Sequence, residues 1–461
     1  MNKLVLSPNQ LVKLQDRGNM NKLLYITAIL LAIVSCSPQI EQVGTPFVAG
    51  QEVSLSASMP SRQTANHMPG KQRISGKDTN PSNPSEGEVS LSWDEGDQVL
   101  VTVGDKSAVF TLSSGAGTNN ATFTGTMPAD GTSYSVSYPV NYTEDVLTIQ
   151  PYVENGFGKG LMKMSTKTNG TIDNGFTLSA DNALLGLQLT GDVIIRKIVI
   201  TNKDNNNTYT LDCSAHEVRA TEGQVFYIVL PSGTWSKGMK LEVYNAEGVV
   251  IQTKEKNDAI TFSSNNAIVM PELAVHDYVD LGLSVMWATC NVGATTPEEY
   301  GDYFAWGETE PKEVYGWNTY NWCDGTGTNM TKYNATDGLT TLLSEDDAAH
   351  VNWGGQWRMP TLNEFAELVE NTSWENMQIN GVKGYLVRST VSGYTDKHIF
   401  LPFAGWRNED LSSHVYEQGI STRYWSNYAT HNDCAYNFFN RSRSNNSRRS
   451  GLSIRPVLPK N

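Results

Sequence analysis

A mainly β fold, sandwich lobes followed by a loop-rich α+β module, is what the sequence predicts on three observations. Between Val89 and Thr253, short runs alternate apolar and polar residues with period two and are split by Gly-Asp and Gly-Thr pairs, the signature of strands and tight turns. No long stretch of that region carries a helical period. The composition has 39 Gly, 20 Tyr and 11 Trp but only 18% charged residues, which suits an exported β protein with many turns better than a helical one.

The first element in order is the stretch 20–36, MNKLLYITAILLAIVSC. Lys22 precedes an apolar run from Leu23 to Val34, too short to cross a bilayer, where a span needs about 20 residues. It reads as a secretory signal. Ile33-Val34-Ser35-Cys36 resembles the bacterial lipobox, which implies cleavage before Cys36 and diacylation of its thiol. Two acyl chains anchor stably where one is marginal. That places the chain outside the cell, lipid-anchored at the outer membrane or cell surface. MNK occurs at both Met1 and Met20, so a misassigned start at Met1 is the simplest reading. Residues 37–88, with DTNPSNPSEGE, read as a tether with one strand, QEVSLSA at 51–57, where Val53 and Leu55 share a face.

Regular alternation begins at Val89. The runs are 89–93, 99–103 and 109–111 around a turn at Gly104-Asp105, then 121–126, 134–138, 176–178, 184–189, 194–200, 209–211, 225–230, 240–244 and 249–253. Many short strands without a long amphipathic helix predict sandwiches, in one or two lobes over 89–273. The pattern resets at HDYVDLGLSVMWATC, and a Trp- and Asn-rich module over 274–461 begins. There Thr361, with Glu364 three residues on and Leu362, Phe365, Ala366, Leu368 and Val369 on one face, predicts a capped helix. Asp346-Asp347 predict a short helix starting at Ser344.

Two resemblances follow from these residues. LSWDEGDQVLV (91–101), ATFTGTMPADGTSYSVSYPVN (121–141), ALLGLQLTG (183–191) and YIVLPSGTWSKGMKLEVYNAEG (227–248) resemble the fimbrillin-like proteins of gut and oral Bacteroidota, across about 90–273. That family implies two β-sandwich lobes behind a lipidated leader. In some members a protease trims an N-terminal strand behind an arginine, opening a groove for the next subunit's strand. Arg62 and Arg73, in the polar stretch before the first lobe, are the candidate trimming sites, or else solvated linker charges.

VDLGLSVMWATCNVGA (279–294), GDYFAWGET (301–309), WRMPTLNEFAELV (357–369), LPFAGWR (401–407), YWSN (424–427) and GLSIRPV (451–457) resemble the Fibrobacter succinogenes major paralogous domain over 279–458. The resemblance implies a module like C-type lectins and formylglycine-generating enzymes, with the closing strand GLSIRPV paired to VDLGLSVMWA. It would place a ligand surface on the loops around Trp406, Arg407, Trp425 and Asn427. The calcium motifs of sugar-binding C-type lectins are absent.

The residues themselves argue against catalysis. The formylglycine-generating enzymes that the module resembles use a pair of active-site cysteines, and the matching half here offers Cys434 alone. There is no GxSxG elbow and no GxxxxGK[ST] loop. His350, His398, His414 and His431 are scattered. The acidic pairs Glu308/Glu310 and Glu345/Asp346/Asp347 have no evident partner across a cleft. Cys213, Cys290, Cys323 and Cys434 lack metal-ligand spacing, so no metal or cofactor is expected; a Cys290–Cys323 bridge and free buried thiols both stay open. The net charge of −14 opposes nucleic acid.

Nine tryptophans, 287, 306, 317, 322, 353, 357, 374, 406 and 425, lie in the last module. They suit stacking on sugars or peptides, although at least six are expected in the core. Arg441, Arg443, Arg448 and Arg449 form a basic run that could attract sulfated glycan or lipopolysaccharide, or could be a solvated loop. The sequence thus reads as a non-catalytic surface lipoprotein for adhesion or fimbrial assembly, with fimbrial subunits, host protein or glycan as partners. Its alternatives are a glycan-capturing surface protein for nutrient uptake and, more weakly, a divergent hydrolase.

Overall fold

The computed structural model describes residues 44–460 apart from 60–61, 68–87, 142–145, 155, 159, 221–223, 410–413 and 432, with the backbone alone at 62–67, 88–90 and 431. Cys36 and Arg73 lie outside the described residues, as does the leader.

The fold is mainly β, and the runs expected from 99 to 253 are all strands. The hairpin of Gln98–Val103 and Lys106–Ser114 turns at Gly104-Asp105 with Val103 opposite Lys106. In the first lobe the structure has a closed barrel where a sandwich is expected. Its strands run in the order Glu52–Ser58, Phe176–Ala180, Met164–Thr166, Ser135–Tyr138, Gln98–Val103, Lys106–Ser114 and Asn120–Thr126. The barrel closes because Glu52–Ser58 pairs with Asn120–Thr126 on one side and with Phe176–Ala180 on the other. That strand comes from the stretch expected to be a tether, which also contributes Arg62–His67 and Glu88–Ser90. Leu55, Trp93, Val99, Val101, Phe110, Phe123 and Leu178 fill the interior.

A second sheet, ordered Val225–Pro231, Asn182–Thr190, Asn266–Val269, Arg62–His67 and Glu88–Ser90, forms a septum. Leu184, Val225, Tyr227 and Val229 face the barrel core, while Leu185, Leu187, Phe226 and Ile228 face the next core. Burial on both faces is why ALLGLQL reads as a continuous apolar run rather than an alternating one. Opposite the septum lies the sheet Val250–Lys256, Met239–Asn245, Ile194–Asn202, Thr208–Asp212, Ile149–Val153 and Gly156–Phe157, so this lobe is a sandwich.

Among its described residues the last module holds three small sheets and two short α-helices. Leu362–Glu370 starts as expected: Glu364 N donates to Thr361 Oγ1 at 3.2 Å, and Thr361 N to Glu364 Oε2 at 2.7 Å. The second helix, Ala348–Trp353, is capped by Asp347, which accepts from Ala349 N and His350 N; only a 3-10 turn, Ser344–Asp346, begins at Ser344. The closing strand is Val457–Pro459, antiparallel to Val285–Ala288, at the downstream end of the segment expected to pair.

The boundary near 274 divides the strand pattern but not the core. Ile251, Val275, Trp353 and Trp357 belong to one apolar cluster. Gly354 and Gly355, both at positive φ, bring the backbone against the edge strand Val250–Lys256. Gln356 N then donates to Val250 O at 2.8 Å and Trp357 Nε1 to Ile251 O at 3.1 Å. The module thereby covers an edge that would otherwise be open to other chains.

His276 lies in this junction, stacked on Trp353 with ring centroids 3.7 Å apart. Burial pushes its pKa down from 6.5 to about 4. The unfolded chain therefore binds the proton first, and this residue's effect is to lower stability as pH falls from 6.5 toward 4. The loss amounts to about 2 kcal/mol at pH 5. Urea midpoints at pH 7.5 and pH 5 are expected to differ less in His276→Phe than in the parent; an equal drop in both would show that this imidazole does not titrate on unfolding.

Candidate functional site

The strand that closes the barrel is anchored along its whole length. Thr45 donates from N and Oγ1 to Asp173 at 2.7 and 2.6 Å, which holds that carboxyl below its ordinary pKa. Phe47 and Gly131 exchange backbone bonds of 2.8 and 3.0 Å. Ala49 N donates to Asp130 Oδ1 at 2.7 Å, and Met127 N to Gln51 O at 2.9 Å. From Glu52 to Ser58 each residue is in register with Asn120–Thr126, while Ala57 and Ser58 also pair in parallel with Phe176 and Thr177.

Phe47, Val53, Leu55, Ala57 and Met59 are buried, and the residues between the last four point outward or are half-buried. Burying each larger side chain contributes about 2 kcal/mol. At Gly175, φ is +65°, and a Cβ would stand 2.0 Å from Ser56 O, so only glycine lets the strand sit this deep. Chemically, the arrangement is a groove that accepts an alternating apolar strand through backbone bonds on both sides.

The two candidate trimming arginines differ. Arg62 does not lie in an open linker: it starts the strand Arg62–His67, where it pairs with Ser90, and the strand pairs with Asn266–Val269 from Thr64 on. A protease needs a free extended backbone, which a paired strand does not offer. Arg73 is outside the described residues.

The proposed ligand residues in the last module do not form one surface. Trp425 is fully buried, with Nε1 donating to Phe304 O at 2.7 Å, and it packs in one core while its neighbour Tyr424, also fully buried, packs in another, so the strand Arg423–His431 is covered on both faces here. Trp406 is half-buried, stacked on Tyr416 at 5.1 Å with the Arg423 guanidinium 5.7 Å from its ring. Arg407 donates to Lys312 O at 3.3 Å and Glu313 O at 3.1 Å and lies over Tyr315, so it clamps loops. Asn427 is half-buried, its backbone bonded to Pro360 and Leu342. Of the nine tryptophans, 287, 306, 353, 357 and 425 are buried and the other four half-buried against the cores.

The basic run also separates. Arg448 is buried, donating to Tyr333 O at 2.9 Å and lying 4.9 Å over Trp306, and Arg449 pairs with Glu409 at 2.7 Å. Arg441 and Arg443 remain exposed. The acidic clusters serve the scaffold: Glu308 pairs with Lys312 at 2.6 Å, Asp346 with Lys332, and Asp347 accepts from Met359 N at 2.9 Å. Cys213, Cys290, Cys323 and Cys434 are all unbridged, and burial pushes the Cys213 thiol up to about 12. Among the described residues no group of three or more His, Cys, Asp and Glu side chains converges to hold a metal.

Sequence reasoning missed Thr45, Phe47 and Asp173 as anchors. Phe47 makes an isolated bridge upstream of the strand, outside any alternating run, and no local signal marks Asp173 as a partner of Thr45.

No family model matches the chain, and no curated protein does. Two solved structures from Bacteroides ovatus resemble it loosely. One, a candidate cell adhesion protein, aligns with 49% of this chain and 92% of its own at 10% identity and a TM-score of 0.29. The other, a fimbrial protein, aligns with 90% of this chain and 100% of its own at 11% identity and a TM-score of 0.24. At these scores neither likeness bears on what the chain does.

Proposed function

We propose that this protein is a lipid-anchored surface subunit that joins other subunits by strand exchange, in adhesion or fimbrial assembly, without catalysis. The observation that carries the reading is the closing strand Glu52–Ser58, an alternating segment seated between two other strands of the barrel and preceding an arginine-bearing stretch. Its removal leaves the edges of Asn120–Thr126 and Phe176–Ala180 unpaired and a row of apolar sites empty, the complement of an incoming strand. The resemblance of residues 90–273 to fimbrillin-like proteins supports the same reading.

Arg73 is the first cut in this scheme. A cut there frees both Glu52–Ser58 and Arg62–His67, the first from the barrel and the second from the septum. Treating the whole chain with an arginine-specific protease tests it. Cleavage after Arg73, followed by loss of the N-terminal piece and growth of oligomers seen by size-exclusion and electron microscopy, is the expected outcome, blocked by Arg73→Ala and not by Arg62→Ala. A cut chain that stays monomeric and binds no peptide spanning 45–59 would sink the reading.

A further inference from the structure

The closing segment leaves the barrel at Met59, and beside that residue lies a cavity of about 230 Å³. Leu91, Trp93, Phe157, Met162 and Met164 wall it, together with Asp97 and Tyr138. Trp93 is 1% exposed and held edge-on against Phe123 at 4.9 Å and Tyr138 at 5.7 Å, yet its Nε1 has no hydrogen-bond partner. A buried donor without an acceptor costs about 1–3 kcal/mol. Tyr138 OH donates to Asp97 Oδ1 at 3.3 Å, and Asp94 N to Asp97 Oδ2 at 2.7 Å, so the polar side of the cavity is held in place. Thioether walls adapt to a new side chain more readily than branched ones.

The chain's own Met59, itself buried, thus leaves space beside it and a donor unmet. We propose that this cavity is the end subsite of the strand groove, and that the strand it is built to take carries tyrosine at the place of Met59. The ring fills the space against Trp93, Met162 and Met164, and the phenol oxygen accepts from Trp93 Nε1. This inference rests on the strand-exchange reading and adds its direction. The resident strand fills the groove incompletely, so a partner strand that fills it displaces the resident one and not the reverse.

The test uses the whole chain cut after residue 73 and synthetic peptides spanning 45–59, native and with Met59→Tyr or Met59→Phe, measured by calorimetry. The tyrosine peptide is expected to bind about tenfold tighter than the native one, the value of one added hydrogen bond. Against a Trp93→Phe chain that advantage should fall to that of the phenylalanine peptide. Native and tyrosine peptides binding equally would overturn the subsite while leaving strand exchange intact; no peptide binding to a folded, cut chain would overturn both. In the uncut chain Met59→Tyr should raise the melting temperature, and a lower one would show that the cavity cannot take the ring.

Discussion

Leu55→Ala is expected to destabilise the barrel by about 2–5 kcal/mol, the usual cost of emptying a fully buried leucine site. Leu55 has no exposed surface and lies at the middle of Glu52–Ser58, opposite Phe123. The effect should be local before it is global, because the barrel strands from Gln98 to Thr126 pair with one another without it. Hydrogen exchange at residues 52–58 and 120–126 should therefore accelerate at denaturant concentrations that leave the septum protected. Gly175→Ala, which pushes a methyl group into Ser56 O, should produce the same pattern from the opposite side of the strand. If either variant unfolds the whole chain in one step, the strand is not a separable unit, and exchange by simple displacement fails with it.

Arg455→Met carries the second large effect, about 3–5 kcal/mol in the last module. The Arg455 side chain is completely buried, and burial lowers its pKa from the ordinary value. Its Nε donates to Asn291 Oδ1 at 2.8 Å, Nη1 to Ala288 O at 3.0 Å and Thr289 O at 2.7 Å, and Nη2 to Phe400 O at 3.0 Å. One guanidinium thus ties the segment just before the last strand to the end of Val285–Ala288 and to His398–Pro402. Methionine keeps the volume and loses every bond. Lysine keeps the charge, but its single ammonium cannot span the fork, so Arg455→Lys should recover little. Urea unfolding followed by tryptophan fluorescence reads both variants, and a full recovery with lysine would show that charge and not geometry holds the closure.

Several elements were legible in the sequence because their causes are local. The hairpin at Gly104-Asp105, the box of Thr361 and Glu364, and the alternating strands from Val99 to Thr253 each depend on residues a few positions apart. Missed strands such as Met164–Thr166 and Asn266–Val269 are three or four residues long, too short for a period to show.

The sequence by itself therefore determined the β class and the alternating strand Glu52–Ser58 with its buried Val53 and Leu55. The tertiary structure alone decided that this strand closes a barrel, that ALLGLQL is buried on two faces, that Trp425 turns inward while Trp406 stays half-buried, and that Arg448 and Arg449 leave the basic run for separate partners. The physical reason is range. Periodicity and caps are set by neighbours within a turn or a strand, whereas closure, burial on a second face and the direction of a long side chain are set by pairings such as Leu55 with Phe123 and Arg455 with Asn291, between residues that the chain brings together only on folding.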